Sequence, residues 1–291
     1  MSGRPPFTLI VPAHNEENVI ARCLECVLAD APDDHAMQII VAANGCTDRT
    51  VEIAKRTAPD AIVLDIAQGG KAAAMNLANA QALHFPRIYL DADIQCGYAS
   101  LEAVAQELNK PGVMAASPKI AMDLSRSDFF VRAYYRVWLT QPYVQDAMVG
   151  SGCFGLSKAA YERIGNFPEI TGDDIWVYSR FPQSERRNVS RNDAGEPVSF
   201  LVSPPRKAAD QVRVETRRRL GNKELLAQHP SPHYEGSNRP GDLRDALKNG
   251  ASILDVGIYL VMKFLARSRA ERAGRNSEKI VWERDLAARE V

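Results

Sequence analysis

The 291 residues include 36 basic and 36 acidic side chains and are 45% hydrophobic and 25% charged, a composition that excludes a disordered chain, a fibrous repeat and a small disulfide-held scaffold. A formal net charge of +0 leaves no overall field to gather nucleic acid, so nucleic acid is not expected as a partner and any bound anion needs a local site. The five cysteines are odd in number and scattered, no leader-like segment opens the chain, and the longest apolar run, 253–265, is too short to span a bilayer and contains Asp255 and Lys263, so the expected compartment is the cytoplasm.

Residues 7–11 (Phe-Thr-Leu-Ile-Val) form a β-branched run stopped by Pro12, and 16–28 have helical periodicity with acidic residues at their start. Cys23 and Cys26 lie in that helical run; with no second pair or His cluster at ligand spacing, they read as packing residues rather than a redox or zinc pair. Residues 38–42 form a second apolar run, followed by the turn Asn44-Gly-Cys-Thr-Asp48 and a helix through Lys55 and Arg56. Residues 61–65 predict a third strand, 71–83 a helix of small residues, and 87–91 a fourth strand ending in a carboxylate. This β-α-β-α-β-α-β order is that of a parallel sheet with crossover helices. From about Lys110 the pattern is mixed, with a strand at 113–116, an aromatic helix at 129–138 and a Gly-rich strand at 149–156. Proline and charge concentrate between 181 and 206, which predicts loops or a flexible hairpin, and the chain turns helical again after Pro240-Gly-Asp242.

In open sheets of this kind ligands collect beyond the carboxyl ends of the strands. His14, Asn15 and Glu16 follow the first strand, Asn44 to Asp48 the second, and Asp91 to Asp93 the fourth, which predicts one crevice. Asp91-Ala-Asp93 puts two carboxylates within reach of one hard cation, directly or through water, and such a cation would bridge phosphates. A bare pair of this kind is far more often a solvated turn, so its position at a strand end carries the argument. Lys71, in Gln68-Gly-Gly-Lys71, follows glycines that admit a ligand to the backbone at a helix start. The spacing is not that of a P-loop.

Six segments, in this order, resemble the family 2 inverting glycosyltransferases with a GT-A fold: Val11-Pro-Ala-His-Asn-Glu-Glu17, Asn44-Gly-Cys-Thr-Asp48, Gly70-Lys-Ala-Ala-Ala-Met-Asn76, Asp91-Ala-Asp93, Gly150-Ser-Gly-Cys-Phe-Gly155 and Gly172-Asp-Asp174. The resemblance covers about the first 175 residues and implies an α/β fold, a GT-A type Rossmann-like mixed sheet flanked by helices with a helical C-terminal extension. The implied division is a nucleotide-sugar glycosyltransferase domain over 1–225 and an extension over 226–291, packed on the core or peripheral to a membrane. The implied activity moves a sugar from a nucleoside diphosphate sugar, a UDP-sugar, to a hydroxyl of a glycan, lipid or small-molecule acceptor in polysaccharide or glycoconjugate biosynthesis.

The resemblance also implies roles. Pro12, Ala13, Asn15 and Glu17 match the loop that holds the nucleoside. Asn44 stands where many relatives carry acidic residues that contact the base; an amide donates and accepts, so base recognition survives in a different form. Asp48 fits ligand contact and helix capping equally. Asp93 matches the carboxylate in direct contact with Mg²⁺ or Mn²⁺, and Asp91 the one nearer the ribose and the metal's waters; the cation neutralises the departing diphosphate. Lys71 matches a basic position near the nucleotide, and an ordinary solvated lysine fits the same letters. Asp174 matches the base that takes the acceptor's proton; Asp173 beside it replaces the family's Glu, which leaves open which of the two acts, and a helix-capping pair is the bland reading. Gly150, Ser151 and Gly152 match the floor of the sugar or acceptor pocket.

Arg213 and Arg217 share a helix face and match a segment that closes over the diphosphate, although Gln211-Val-Arg-Val-Glu-Thr-Arg217 departs from the family's Q-x-x-R-W; a solvated basic face explains them equally well. The late apolar run, followed by Arg267, Arg269, Arg272 and Arg275, fits a core helix better than a membrane-surface helix, because apolar residues occupy most of its circumference rather than one stripe. A non-catalytic relative that binds nucleotide or glycan is the rival reading, weakened by the retained aspartates. A nucleotidyltransferase is disfavoured by the absence of an arginine-bearing Gly-rich loop near the N-terminus.

Overall fold

The computed structural model describes residues 4–145, 152–170, 172–234 and 242–275. Three strand and helix pairs open the chain: β1 (Phe7–Ala13), α1 (Ile20–Leu28), β2 (Met37–Asn44), α2 (Thr50–Thr57), β3 (Ile62–Ile66) and α3 (Lys71–Gln81). They are followed by β4 (Arg87–Leu90), α4 (Tyr98–Leu108), β5 (Ala115–Met122), α5 (Phe129–Trp138), the short α6 (Pro142–Gln145), β6 (Cys153–Leu156), α7 (Lys158–Ile164) and α8 (Asp173–Arg180). The chain then forms β7 (Arg186–Val189), β8 (Ser199–Val202) and three helices, α9 (Ala208–Gln228), α10 (Asp242–Lys248) and α11 (Ile253–Arg275).

The strands form one mixed sheet in the order β3-β2-β1-β4-β6-β5-β7, with β8 also paired to β5. The first four strands are parallel, and β6 runs antiparallel between β4 and β5. Alternation along β1 divides the core into two layers. Phe7, Leu9 and Val11 pack with Ile20, Leu24 and Val27 of α1, whereas Ile10 packs with Ile40 of β2, Met75 of α3 and Trp176 of α8. Cys23 is buried in the first layer, and burial pushes its thiol well above the ordinary range, as expected of a packing residue rather than a reactive one.

Pro12 does not stop β1. It lies in register with Ala42 of β2, while β4 pairs only with Thr8 to Ile10, so a residue with no N–H forfeits no bond on the β4 side. The region 181–206 does hold the expected hairpin turn, with Arg191 bridged antiparallel to Pro197 and the Val198 N–H donating to the Ser190 carbonyl at 3.0 Å, and it adds two strands. β7 and β8 do not pair with each other as strands; each runs parallel to β5, β7 along Ala115 to Pro118 and β8 along Lys119 to Met122. Val189, Val198 and Phe200 are buried there, and that burial stabilises strands whose Pro- and charge-rich flanks resemble loop. The expected division at 225/226 falls inside α9, a helix in contact with both α11 and α5. Among the described residues, no helix is long and apolar enough to cross a membrane.

Candidate active site

The carboxyl ends of β1, β2 and β4 meet where the strand order reverses about β1, the place where a crevice opens in such sheets. Asn44, the last residue of β2, is buried and ties three segments together. Its amide nitrogen donates to the Ala13 carbonyl at 2.8 Å and the Ala42 carbonyl at 3.3 Å, and its oxygen accepts from the Gly70 N–H at 3.0 Å. The Asn44 amide nitrogen is thus committed within the protein, its oxygen holds Gly70 with one acceptor position to spare, and the side chain sets the spacing of the loops. Gly45, at φ +56°, lets the β2 loop lie against Gly69: a Cβ at Gly45 would stand 2.9 Å from the Gly69 Cα.

The loop after β1 is held just as firmly. Asn15 adopts a left-handed backbone at φ 51° and accepts the Thr47 N–H at 2.7 Å, a conformation Asn tolerates better than most residues. Glu17 pairs with Arg49 at 3.1 Å, and its own N–H donates to Asp48 at 3.1 Å. Asp48 also accepts the Thr50 N–H at 3.0 Å and the Thr50 hydroxyl at 2.5 Å. Burial would raise the Asp48 pKa, but the Thr50 bonds and the Glu17 N–H together hold it below the usual carboxylate range. These bonds tie Asp48 to the first residue of α2, whose N-cap is Arg49.

Three charged groups from distant parts of the chain converge at the crevice. Lys71 opens α3, Asp91 follows β4 and Asp173 opens α8, and the Lys71 ammonium lies 2.7 Å from Asp91 Oδ1 and 2.9 Å from Asp173 Oδ1. Burial opposes the charge on Lys71, yet Asp173 and then Asp91 outweigh it and raise its pKa above the ordinary value. Lys71 is thus held as a cation between the two carboxylates, with its side chain 37% exposed. Burial raises the Asp91 pKa to about 6 against the pull of Lys71, with the negative charge of Asp173 and Asp93 adding to the rise. Asp174, next along α8, is pushed up to about 7 by burial first and by the charge of Asp173 second. Its Oδ1 accepts the N–H of the adjacent Ile175 at 2.8 Å, in a helix whose N-cap is Gly172.

β6 completes this floor. The Gly152 carbonyl accepts the Asp91 N–H at 2.8 Å, and Gly152 has φ +96°, with a Cβ there standing 2.9 Å from Ile94 and 3.2 Å from Asp91 Oδ2. The absent side chain leaves room for the Asp91 carboxylate. Gly150 and Ser151 lie outside the described residues.

Asp91 and Asp93 are both half-buried, while Ala92 and Ile94 between and beyond them are buried, so the two carboxylates alternate with the core residues. Hard, partly exposed oxygen donors fit Mg²⁺ or Mn²⁺ in sites that share their ligands with phosphate and water. Among the described residues, no group of three or more His, Cys, Asp or Glu is arranged to hold a metal.

Arg213 pairs with Asp210 within α9, and Arg217 lies one turn further on, ahead of Gly221. Gly221, Glu224, Leu225 and Gln228 of α9, with Glu169 and Ile170, line an open hollow of ≈ 250 Å³. Glu169 Oε2 lies 3.9 Å from where a Gly70 Cβ would stand, which puts the hollow beside the residue that precedes Lys71. Sequence reasoning passed over Glu169 because it belongs to no motif; its place four residues before Asp173 was the available signal.

The model of the family described as glycosyl transferase family 2 matches residues 8–165, more than half of the chain. Among solved structures, the mannosyltransferase PcManGT from Pyrobaculum calidifontis, in complex with GDP-Man and Mn²⁺, is 19% identical, with 96% of this chain and 77% of that one covered and a TM-score of 0.57. Glucosyl-3-phosphoglycerate synthase from Mycobacterium tuberculosis, in complex with phosphoglyceric acid, is 18% identical, with 78% of this chain and 81% of that one covered and a TM-score of 0.54. The same enzyme, in complex with Mn²⁺, UDP and glucosyl-3-phosphoglycerate, gives a TM-score of 0.53 at 18% identity over the same shares. Among curated protein sequences, none matches this chain. At these identities the likeness establishes the GT-A fold.

Proposed function

This chain belongs to glycosyl transferase family 2, and from that premise we propose that it moves a sugar from a UDP-sugar to an acceptor hydroxyl with inversion at the anomeric carbon. The observation that carries the reading is the Lys71 bridge, which joins Asp91 of the D-x-D pair to Asp173 of the paired aspartates. The groups that suit a nucleotide diphosphate and the groups that suit proton abstraction thereby fall in one cluster.

In this mechanism the loop of Pro12, Ala13, Asn15 and Glu17 seats the nucleoside, with Asn44 holding that loop against Gly70. Asp93 and Asp91 would hold Mg²⁺ or Mn²⁺, whose chemistry is to neutralise the diphosphate as it departs. Lys71 keeps Asp91 and Asp173 together and adds a fixed positive charge. Asp174, whose pKa near 7 suits a base at neutral pH, takes the proton of the acceptor hydroxyl as its oxygen bonds to the anomeric carbon. The bond from that carbon to the diphosphate oxygen breaks, and UDP leaves. Arg213 and Arg217 close toward the diphosphate from α9, Gly150, Ser151 and Gly152 floor the sugar pocket, and the hollow beside Glu169 gives an acceptor space. The acceptor is a glycan, lipid or small molecule, and the protein works in the cytoplasm, peripheral to the inner face of a membrane.

The direct test is calorimetric titration with UDP, GDP and TDP, with and without Mn²⁺, followed by product analysis on UDP-sugars. Tight, Mn²⁺-dependent binding of UDP and release of free UDP are expected. A preference for GDP or TDP would correct the donor, and release of pyrophosphate would overturn glycosyl transfer. No nucleotide binding by folded protein would favour a non-catalytic relative.

A further inference from the structure

α11 is built inside out for a helix at a water-facing surface. Its inward side buries Tyr259, Met262, Ala266 and Ala270. The charged residues of its first three turns also point inward, Asp255 to Arg136 at 2.6 Å and Lys263 to Glu215 at 2.8 Å. Outward stand Ile253 at 83% exposure and Phe264 at 68%, with Leu254, Leu260, Val261 and Leu265 exposed between and beside them. Standing at i, i+1, i+7, i+8, i+11 and i+12 from Ile253, they share one broad face over 253–265, about 20 Å long at ~1.5 Å per residue, with no charged side chain exposed along it. The sequence expectation of a plain core helix is therefore half right: one face packs and the opposite face is apolar as well.

The neighbouring helix also exposes apolar side chains. α5 runs antiparallel to α11, since Arg136 meets Asp255 while Tyr134 meets Tyr259 with ring centroids 5.1 Å apart. The head of α5 thus comes level with the turn holding Phe264, and Phe129 and Phe130 are exposed there. Cations flank the patch at both ends: Arg244 and Lys248 on α10 before it, and Arg267, Arg269 and Arg272 after it, all exposed. Of these, Lys248 pairs with Asp245 and Arg267 with Glu271, so the rim retains net positive charge. Exposed apolar surface of this extent needs a cover, and apolar residues rimmed by arginine and lysine match acyl chains beneath anionic headgroups.

We propose that the outward stripe of α11, with Phe129 and Phe130 of α5, docks this protein in the plane of an anionic bilayer. The helix lies on the membrane and does not cross it. The inference gives a surface to the peripheral location named above, and its test needs no catalysis, so it stands or falls apart from the transferase reading.

The experiment is sedimentation of the whole chain with vesicles of phosphatidylcholine alone and of phosphatidylcholine with phosphatidylglycerol, at low and high salt. Binding to the anionic vesicles is expected, weakened by salt. The double variant Val261→Glu with Phe264→Glu alters only exposed positions; it should keep the wild-type circular dichroism and melting temperature and bind at least about tenfold more weakly. A second variant, Phe130→Glu, should weaken binding in the same direction, and Arg269→Glu with Arg272→Glu should abolish the preference for phosphatidylglycerol. Failure of the wild type to sediment with anionic vesicles, or wild-type binding by the Val261 and Phe264 variant, would overturn the proposal. A dimer seen by light scattering, broken by that same variant in a protein indifferent to vesicles, would instead assign the face to a second copy and overturn it equally.

Discussion

Replacing each of the paired aspartates in turn separates the base from its neighbour. Burial and then the charge of Asp173 raise the Asp174 pKa to about 7, so kcat/KM should fall along an acid limb of unit slope. Asp174→Asn removes the proposed base and should cost between about 10²- and 10⁴-fold in kcat/KM, or about 3–5 kcal/mol of transition-state stabilisation. Asp173→Asn leaves the base in place and removes the like charge that, after burial, does most to raise its pKa. The acid limb should then move to lower pH by on the order of one unit. Asp173 is also the second anchor of Lys71, so some loss of maximal rate accompanies that shift.

Stability gives an independent reading of the same pair. A carboxyl whose folded pKa is raised destabilises the fold once pH exceeds its unfolded value near 4 and it is forced toward ionisation. Asp174→Asn should therefore melt no lower than wild type at pH 8, while UDP affinity stays nearly constant. The assays are initial rates of UDP release from pH 5 to 9 in saturating Mn²⁺, calorimetric UDP binding and thermal melts. Added Mn²⁺ lowers every limb by favouring ionised carboxylates, but it preserves the order of the three proteins. A loss of less than tenfold in Asp174→Asn, or an unchanged limb in Asp173→Asn, would refute the assignment.

Two further predictions concern what holds the site and its supports. Glu215 on α9 is 2% exposed and pairs with Arg218 at 2.6 Å and Lys263 at 2.8 Å; burial alone would raise its pKa, but Arg218 and then Lys263 hold it down to about 2. Against an unfolded value near 4.5 that depression is about 3 kcal/mol of stability, present above pH 4.5 and lost as pH falls toward 2. Glu215→Gln should lose about 3–5 kcal/mol in urea unfolding at pH 7, because two cations are left facing a neutral group, and a loss below about 1 kcal/mol would show that the network relaxes. Asn44→Asp places a carboxylate oxygen against the Ala13 carbonyl where the amide nitrogen now donates. A loss of about 2–4 kcal/mol and weaker UDP binding are expected by melting and calorimetry, whereas tighter UDP binding would mean that position 44 reads the base after all.

Much of the catalytic half was legible in the chain because its signals are local. Strands of four to eight residues alternate with helices, and each period is set by neighbours in sequence, so β1 to β4 and α1 to α3 fall where the hydrophobic pattern puts them. The D-x-D pair could be placed in a crevice because a strand end is itself a local feature. Non-local pairing was less legible. β7 and β8 exist because β5 offers them an edge, a fact that no window over 181–206 contains. The family resemblance supplied candidate roles for Asp91 and Asp174 but not the contact that organises them.

The sequence by itself determined the class of sheet, the sites where loops return to one crevice, and the kinds of charge available there, since these follow from local periodicity and from residue types. Only the tertiary structure decided that Lys71 stands between Asp91 and Asp173, that Asn44 spends its amide on Ala13 and Gly70, and which side of α11 faces out. That last choice was invisible in a helix with apolar residues around most of its circumference. It is made by Asp255 meeting Arg136 and Lys263 meeting Glu215, because a charge inside a fold must find its partner there and the apolar stripe is left to turn the other way.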